Sequence, residues 1–471
     1  MSRINTNVSS LIAQRVLRRN NDALGKSLER LSTGLRINKG ADDPAGLIAS
    51  ENLRSEKTGL TQAIANAERA ANIIGTAEGG LSEISSLLNE LQTLVGQSAN
   101  TGGLSSEEVE ANQLQVDSIL ATINRIAGST SFQGQKLLNG NFAYSTSSVT
   151  ASAFDSLQVN AARLPDGQQV TVVVDVLNSA TRGVVTYAGS AATIASSVTL
   201  TVAGNLGTEQ LAFASGTALS AIAAGINALT DVTGVAATIS GTAINFLSSG
   251  YGASQFVSVT ADKSFFTITG GVSGRDTGTD ASVTVNGFAA QADGKNITFR
   301  SANLDIEFVL SNGLNTGALS KTFAITGGGA SFALGSKVGE GDKAVIGIQN
   351  VSTGSLGDRT IGYLADLASG KDKSLSSDNL VNAQRVLDKA IKQVSQLRGR
   401  LGAFQKFTIG STINSLGVAL ENASSAESAI RDTDFAIETA NLTRSQILAQ
   451  AATTVLAQAN ASPQAALQLL Q

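Results

Sequence analysis

The sequence predicts an α+β protein. Its N- and C-terminal segments pair as a long α-helical coiled-coil bundle, and a β-rich outer region is inserted between them. Apolar residues near both ends recur at steps of three and four. The middle replaces that rhythm with short alternating runs bounded by Gly, Asn and Asp. The aromatic residues are also segregated: sixteen of the twenty Phe and Tyr lie in 141–370, including all four Tyr.

In the N-terminal part, Leu81, Ile84, Leu88, Leu91 and Val95 form a narrow coiled-coil seam. Gly102 and Gly103 turn the chain into a second helix at "LSSEEV". There Ser105 and Glu108 make a capping box, Leu104 can staple onto Val109, and Val116, Ile119, Ile123 and Ile126 continue the stripe. Near the other end, Leu387, Ile391, Val394 and Leu401 repeat the spacing, with a staple expected from Leu375, Ser376 and Leu380. More than two hundred residues separate these halves, so the simplest arrangement folds the chain back into one bundle.

The extreme ends are helix-permissive but poor in large apolar groups. Residues 1–40 carry Ile4, Val8, Leu11, Leu24, Leu28 and Leu31. Residues 436–471 are rich in Ala and Gln and carry Ile437, Leu442, Ile447, Leu448, Val455 and Leu456. Burying one such stripe does not offset the conformational entropy of a long isolated helix. These helices are expected to order when other copies supply the missing faces. An antiparallel coiled coil within one chain is the competing arrangement. Between the end and the bundle, "RLSTGLRINKGADDPAGL" (30–47) breaks the helical rhythm. Asp43 before Pro44 reads as an N-cap followed by a first helical proline, with the carboxylate at a positive helix end. Gly34 and Gly40 are expected to end the preceding helix.

In the middle, residues 170–176, 197–202, 235–240, 255–260 and 282–287 read as strands. One helix is expected at 217–229, capped by Thr217, with Leu219, Ile222, Ile226 and Leu229 facing a core. The layout expected is 1–43 with 432–471 as an inner helical core, and 44–140 with 371–431 as a helical bundle with a β-hairpin. Residues 141–189 with 271–370 form an outer β-rich domain, and 190–270 an inserted α/β unit.

Composition narrows the function. The chain of 471 residues has no His, Cys or Trp. The commonest general base, the thiolate nucleophile and the usual zinc ligands are therefore missing. No phosphate-binding glycine loop or paired catalytic carboxylates stand out, so neither catalysis nor a cofactor or metal is expected. A formal net charge of −4 leaves no basic footprint for nucleic acid. No run of about eighteen apolar residues is available for membrane insertion. The first residues lack the apolar stretch of a cleavable signal peptide.

The ends resemble bacterial flagellin. The resemblance is carried by "MSRINTNVSSLIAQ", "LERLSTGLRINKGADDPAGLIASENLRSE" and "TSFQGQKLLNG" on one side. On the other it is carried by "LGAFQKF", "AIRDTDFAIETANLTRSQIL" and "VLAQAN". Residues 218–259 resemble the small insert motif of some flagellins and hook-associated proteins. The resemblance implies an extracellular structural subunit, exported unfolded without a cleaved signal, that polymerises through its terminal helices into a hollow helical filament for motility. The implied partners are other copies of the chain, filament cap and hook–filament junction proteins, an export chaperone and the secretion apparatus. Two alternatives stay open: a hook–filament junction protein, and a filament subunit whose outer region also serves as an adhesin or carbohydrate-binding surface. The stretch 89–100 resembles the patch recognised by the flagellin-sensing Toll-like receptor. Leu94, Gln97 and Ser98 agree with the recognised form, but Glu90 stands for an arginine and Thr122 for a glutamate. Weak or absent receptor binding is expected, because a charge reversal at a buried contact costs several kcal/mol.

Overall fold

The computed structural model describes residues 6–468, apart from 101, 151, 166–167 and 378. Eight α-helices occur among them: α1 (Val8–Thr33), α2 (Pro44–Ser98), α3 (Ser106–Ser129), α4 (Leu219–Ala228), α5 (Thr230–Thr233), α6 (Leu380–Ala403), α7 (Ser411–Arg431) and α8 (Phe435–Gln468). A π-helical stretch, Phe404–Gly410, joins α6 to α7. The chain divides into two compact units. One contains residues 1–69, 333–342 and 409–471, and the other contains 70–332 and 343–408.

In the first unit α1 and α8 run antiparallel along each other, and the N-terminal part of α2 accompanies α7. Lys57 on α2 meets Glu427 on α7 at 2.8 Å, and Arg431 meets Glu51 at 3.2 Å. The loop 333–342 approaches α2 at Gly59, where a Cβ would lie 2.5 Å from the Ser336 carbonyl oxygen.

The second unit holds the seam read from the sequence. Ile84, Leu88, Leu91, Val95, Val116, Ile119, Ile123, Leu387, Val394 and Leu401 are all buried, whereas Ile391 is half-buried. Ala383, Val386, Ala390 and Leu397 complete the buried face of α6. The α3 capping box is present: Glu108 N–H donates to Ser105 Oγ at 3.3 Å, and Ser105 N–H donates to Glu108 Oε2 at 2.8 Å. The expected staple ahead of α6 shifts. Asn379 is the residue preceding the helix and makes no side-chain cap, while Ser376 shares a hydroxyl contact with Ser374. Side-chain amides hold the returning loop. Gln113 on α3 donates to Leu367 O and accepts from Leu375 N–H. Gln393 on α6 accepts from Gly357 N–H and donates to its carbonyl. Arg398 on α6 reaches Glu78 on α2 at 2.8 Å.

The β-rich region has two cores. The first lies between a five-stranded sheet, ordered 288–289, 282–285, 170–178, 319–328, 144–147, and a four-stranded sheet, ordered 291–293, 296–300, 304–310, 154–162. All these pairs are antiparallel. Phe154 is edge-on to Phe308 and to Phe323, at centroid distances of 5.4 and 6.0 Å. The second core pairs two four-stranded antiparallel sheets with α4. It draws in Val185 and Tyr187, and Tyr187 stacks on Phe266 at 3.7 Å. Residues 184–188 fall in the range expected for the flanking domain, but their pairing with 243–248 and 268–269 places them in this second core instead. Thr217 does not cap α4: its hydroxyl donates to Ala214 O, and the helix begins at Leu219. Leu219, Ile222 and Ile226 are buried as expected, joined by Ala223, while Leu229 is half-buried past the helix end.

Leu88 is fully buried and Leu114, on α3, is largely exposed. Leu88→Ala should therefore lower the unfolding free energy by roughly 2–5 kcal/mol. Leu114→Ala should stay within about 0.5 kcal/mol of the parent in the same denaturant titration.

Candidate assembly surface

The seam between α1 and α8 is built from small or polar residues. Ser10, Ala13 and Ser27 are buried on α1, and Glu438, Ser445 and Ala452 on α8. The larger apolar side chains point away from it. Val8 is 54 % exposed, Leu11 58 %, Leu28 51 %, Ile437 61 %, Ile447 61 %, Leu448 47 % and Val455 58 %. Ile12 and Val16 are exposed as well, while Leu24, Leu31, Leu442 and Leu456 are half-buried. Ile4 lies outside the described residues. The helices thus pair within one chain, as the competing arrangement expected, yet pairing leaves their apolar residues uncovered. Fully burying one such side chain is worth roughly 1.5–3 kcal/mol, so a surface that repeats them along two helices favours coverage by another molecule.

Polar bonds stitch the seam. Asn7 Nδ2 donates to Ala459 O at 2.7 Å, and Ser10 Oγ donates to Asn460 Oδ1 at 2.7 Å. Asn20 Nδ2 donates to Leu448 O at 3.1 Å. At the far end Arg30 meets Glu438 at 3.6 Å.

There the two helices break together. Gly34 adopts φ 74° and ends α1, with its N–H donating to Arg30 O at 2.8 Å. Residues 34–36 then bridge 431–433: Arg36 N–H donates to Arg431 O at 2.7 Å, and Thr433 N–H to Gly34 O at 2.9 Å. Gly40 does not end a helix; it sits in the following turn with ordinary negative φ. Asp42 accepts from the N–H groups of Lys39 and Asn38, and it faces Lys26. The backbone bond from Lys39, then that from Asn38 and the Lys26 charge, hold its carboxyl below the usual carboxylate range despite some desolvation.

Asp43 caps α2. Its Oδ1 accepts from Gly46 N–H at 2.9 Å, its carbonyl accepts from Leu47 N–H at 2.9 Å, and Pro44 is the first helical residue. Gly46 was missed in the sequence. A Cβ there would lie 2.4 Å from Asp43 Oδ2 and 2.7 Å from Cδ1 of the buried Ile37, so any larger residue would force both side chains to shift. The C-terminal half of the joint was also missed. Asp434 caps α8 by accepting from Ala436 and Ile437 N–H, so the "DP" signal on one side has a "TDF" counterpart on the other. Asp42 thus closes the turn while Asp43 and Asp434 cap the helices that follow, which identifies a structural joint.

The stretch aligned with the receptor patch divides in two. Glu90 and Gln97 are exposed and Thr122 is half-buried, whereas Leu94 and Ser98 are buried within the chain. Leu94 and Ser98 therefore cannot serve as surface contacts in this conformation, contrary to their expected place in the patch.

Residues 4–143 match the bacterial flagellin N-terminal helical region and 385–470 the bacterial flagellin C-terminal helical region. Residues 199–250, within the second β core, match the flagellin hook IN motif. Over 99 % of both chains, the sequence is 32 % identical to flagellin B of Vibrio anguillarum and 31 % identical to flagellin of Salmonella typhimurium. Among solved structures, FliC of Burkholderia pseudomallei overlaps 72 % of this chain and 99 % of its own, at 17 % identity. Its TM-score of 0.25 is too low to carry structural detail.

Asp43→Ala removes one capping acceptor and should cost about 1 kcal/mol, with Asp43→Asn retaining most of it. Amide exchange at Gly46 and Leu47 measures this directly: faster in the alanine variant, near parental in the asparagine variant.

Proposed function

The chain belongs to the bacterial flagellin family and is a structural subunit of the extracellular flagellar filament, and from that premise we propose that α1 and α8 are the elements through which it polymerises. The outward apolar residues around the small-residue seam carry this reading. A neighbouring copy would cover Val8, Leu11, Ile447 and Val455 and add the apolar burial that pairing within one chain does not provide. A heterologous contact of this kind extends into an open helical polymer. Residues 1–43 with 432–471 would then be the inner layer, 44–140 with 371–431 the surrounding layer, and the two β cores the outer surface. The paired break at 34–36 and 431–433 would be the passage between the first two layers.

We further propose export as an unfolded chain, with an export chaperone on the secretion side and cap and junction proteins at the filament ends. Absent cysteine suits such transit, since no cross-link can form on the way. No helix among the described residues is long and apolar enough to cross a membrane. Relatives matched over nearly their whole length favour the main filament subunit over a junction protein.

Electron microscopy of the purified full chain should show hollow filaments, and a chain lacking residues 436–471 should show none. Normal polymerisation of the truncated chain would remove α8 from the assembly surface. For the receptor, exposed Glu90 brings the wrong charge to the patch, and buried Leu94 and Ser98 are withdrawn from it. A cell reporter of flagellin sensing should respond weakly or not at all to the purified protein; a full-potency response would refute the assignment.

A further inference from the structure

We propose that the Arg30–Glu438 ion pair is the register key of the α1–α8 pair: it determines which apolar residues of the two helices lie side by side on the assembly surface. This inference rests on the assembly reading above and adds a specific positioning role to it.

The apolar content of the seam cannot set the register. Ser445, Ala452 and Ala459 fall seven residues apart along α8. Sliding α8 by one heptad exchanges small side chains for small side chains at these positions of the seam. Such a slide carries the outward residues of α8 about 10 Å along α1, at 1.5 Å per residue, and rebuilds the surface offered to a neighbour.

Most of the polar stitches cannot set it either. Asn7 and Asn20 donate to backbone carbonyls of α8, and every α8 residue offers a carbonyl. The bridge between 34–36 and 431–433 is likewise a backbone pairing that carries no side-chain identity. It joins the helices at the break, a few residues from the ion pair, but selects no particular side chain.

Glu438 is different. It is the only acidic residue in Phe435–Gln468. Its side chain is 8 % exposed and lies 3.6 Å from Arg30, itself 29 % exposed. As α1 positions rise from 7 to 30, their α8 partners fall in step from 459 to 438, so the ion pair belongs to the same register as the other stitches. In a one-heptad slip, Arg30 would face Ser445. Glu438 would move to the level of Ala23 or Ile37 and lose Arg30; the nearest cations there, Lys26 and Arg36, already bind Asp42 and the Ile430 carbonyl. Breaking a buried pair this way is costly because it leaves an uncompensated charge. A single polar residue at one position of an otherwise unspecific seam is an established means of fixing helix register.

The chain contains no native cysteine, so register can be read by cross-linking in the full-length protein. Ser10→Cys with Asn460→Cys places a reporter where the side chains already touch, at the end remote from the key. In assembled filaments this pair should form a disulfide efficiently. Adding Glu438→Ala should lower its yield at least about fivefold, and the charge swap Arg30→Glu with Glu438→Arg should restore it. If Glu438→Ala prevents assembly, the charge swap should recover filaments. An unchanged disulfide yield in Glu438→Ala filaments overturns the register key while leaving polymerisation through α1 and α8 intact. Failure of the charge swap to restore either readout also overturns it. Absence of filaments from the parent chain overturns the assembly reading itself.

Discussion

Ser10, Ala13, Ser27, Ser445 and Ala452 occupy the seam between the terminal helices, and the rest of the assembly surface depends on their small size. Small side chains let the helices meet but bury little area, so the contact supplies little apolar stabilisation. Helices of this length need a packed face to persist. Here the residues able to provide one, among them Leu11, Ile12, Ile447 and Val455, face outward. The pair is built as half of a larger interface.

The second constraint is the joint. Gly34 and the segment 431–433 interrupt the two helical strands at the same level, and backbone bonds tie the interruptions together. Asp43 and Asp434 restart the helices with equivalent caps. A paired break keeps the strands in step across a change of environment, whereas a break in only one would force them apart. Gly46 belongs to the same device, because its missing side chain is the space that Asp43 and Ile37 occupy.

Much of this was legible in the sequence. The three-and-four spacing located the buried seam of the bundle, because one residue type at one period has one physical explanation. The Ser105–Glu108 box and the Asp43–Pro44 start were legible because capping is a local interaction. What escaped depends on tertiary neighbours. Strand 184–188 lies inside the range expected for the flanking domain but packs in the second core, because pairing with 243–248 and 268–269 is a long-range contact that local pattern does not show. Strand 154–162 escaped because its burial is irregular, with Val159 and Asn160 both buried, and strand 304–310 because acids sit between the inward residues of "LDIEFVL". Thr217 failed as a cap because its hydroxyl bonds backward to Ala214. The outward orientation of the terminal apolar residues could not be read from spacing, since the stripe a helix presents gives no clue to which side its partner takes.

The most direct test of the outward-facing design is a high-resolution reconstruction of the filament formed by this chain. The account predicts that Val8, Leu11, Ile12, Ile447, Leu448 and Val455 become covered by neighbouring subunits while Ser10, Ala13, Ser445 and Ala452 remain in the seam within each subunit. A filament in which those apolar residues stay exposed to solvent, or in which α1 and α8 of one chain part company, would contradict it.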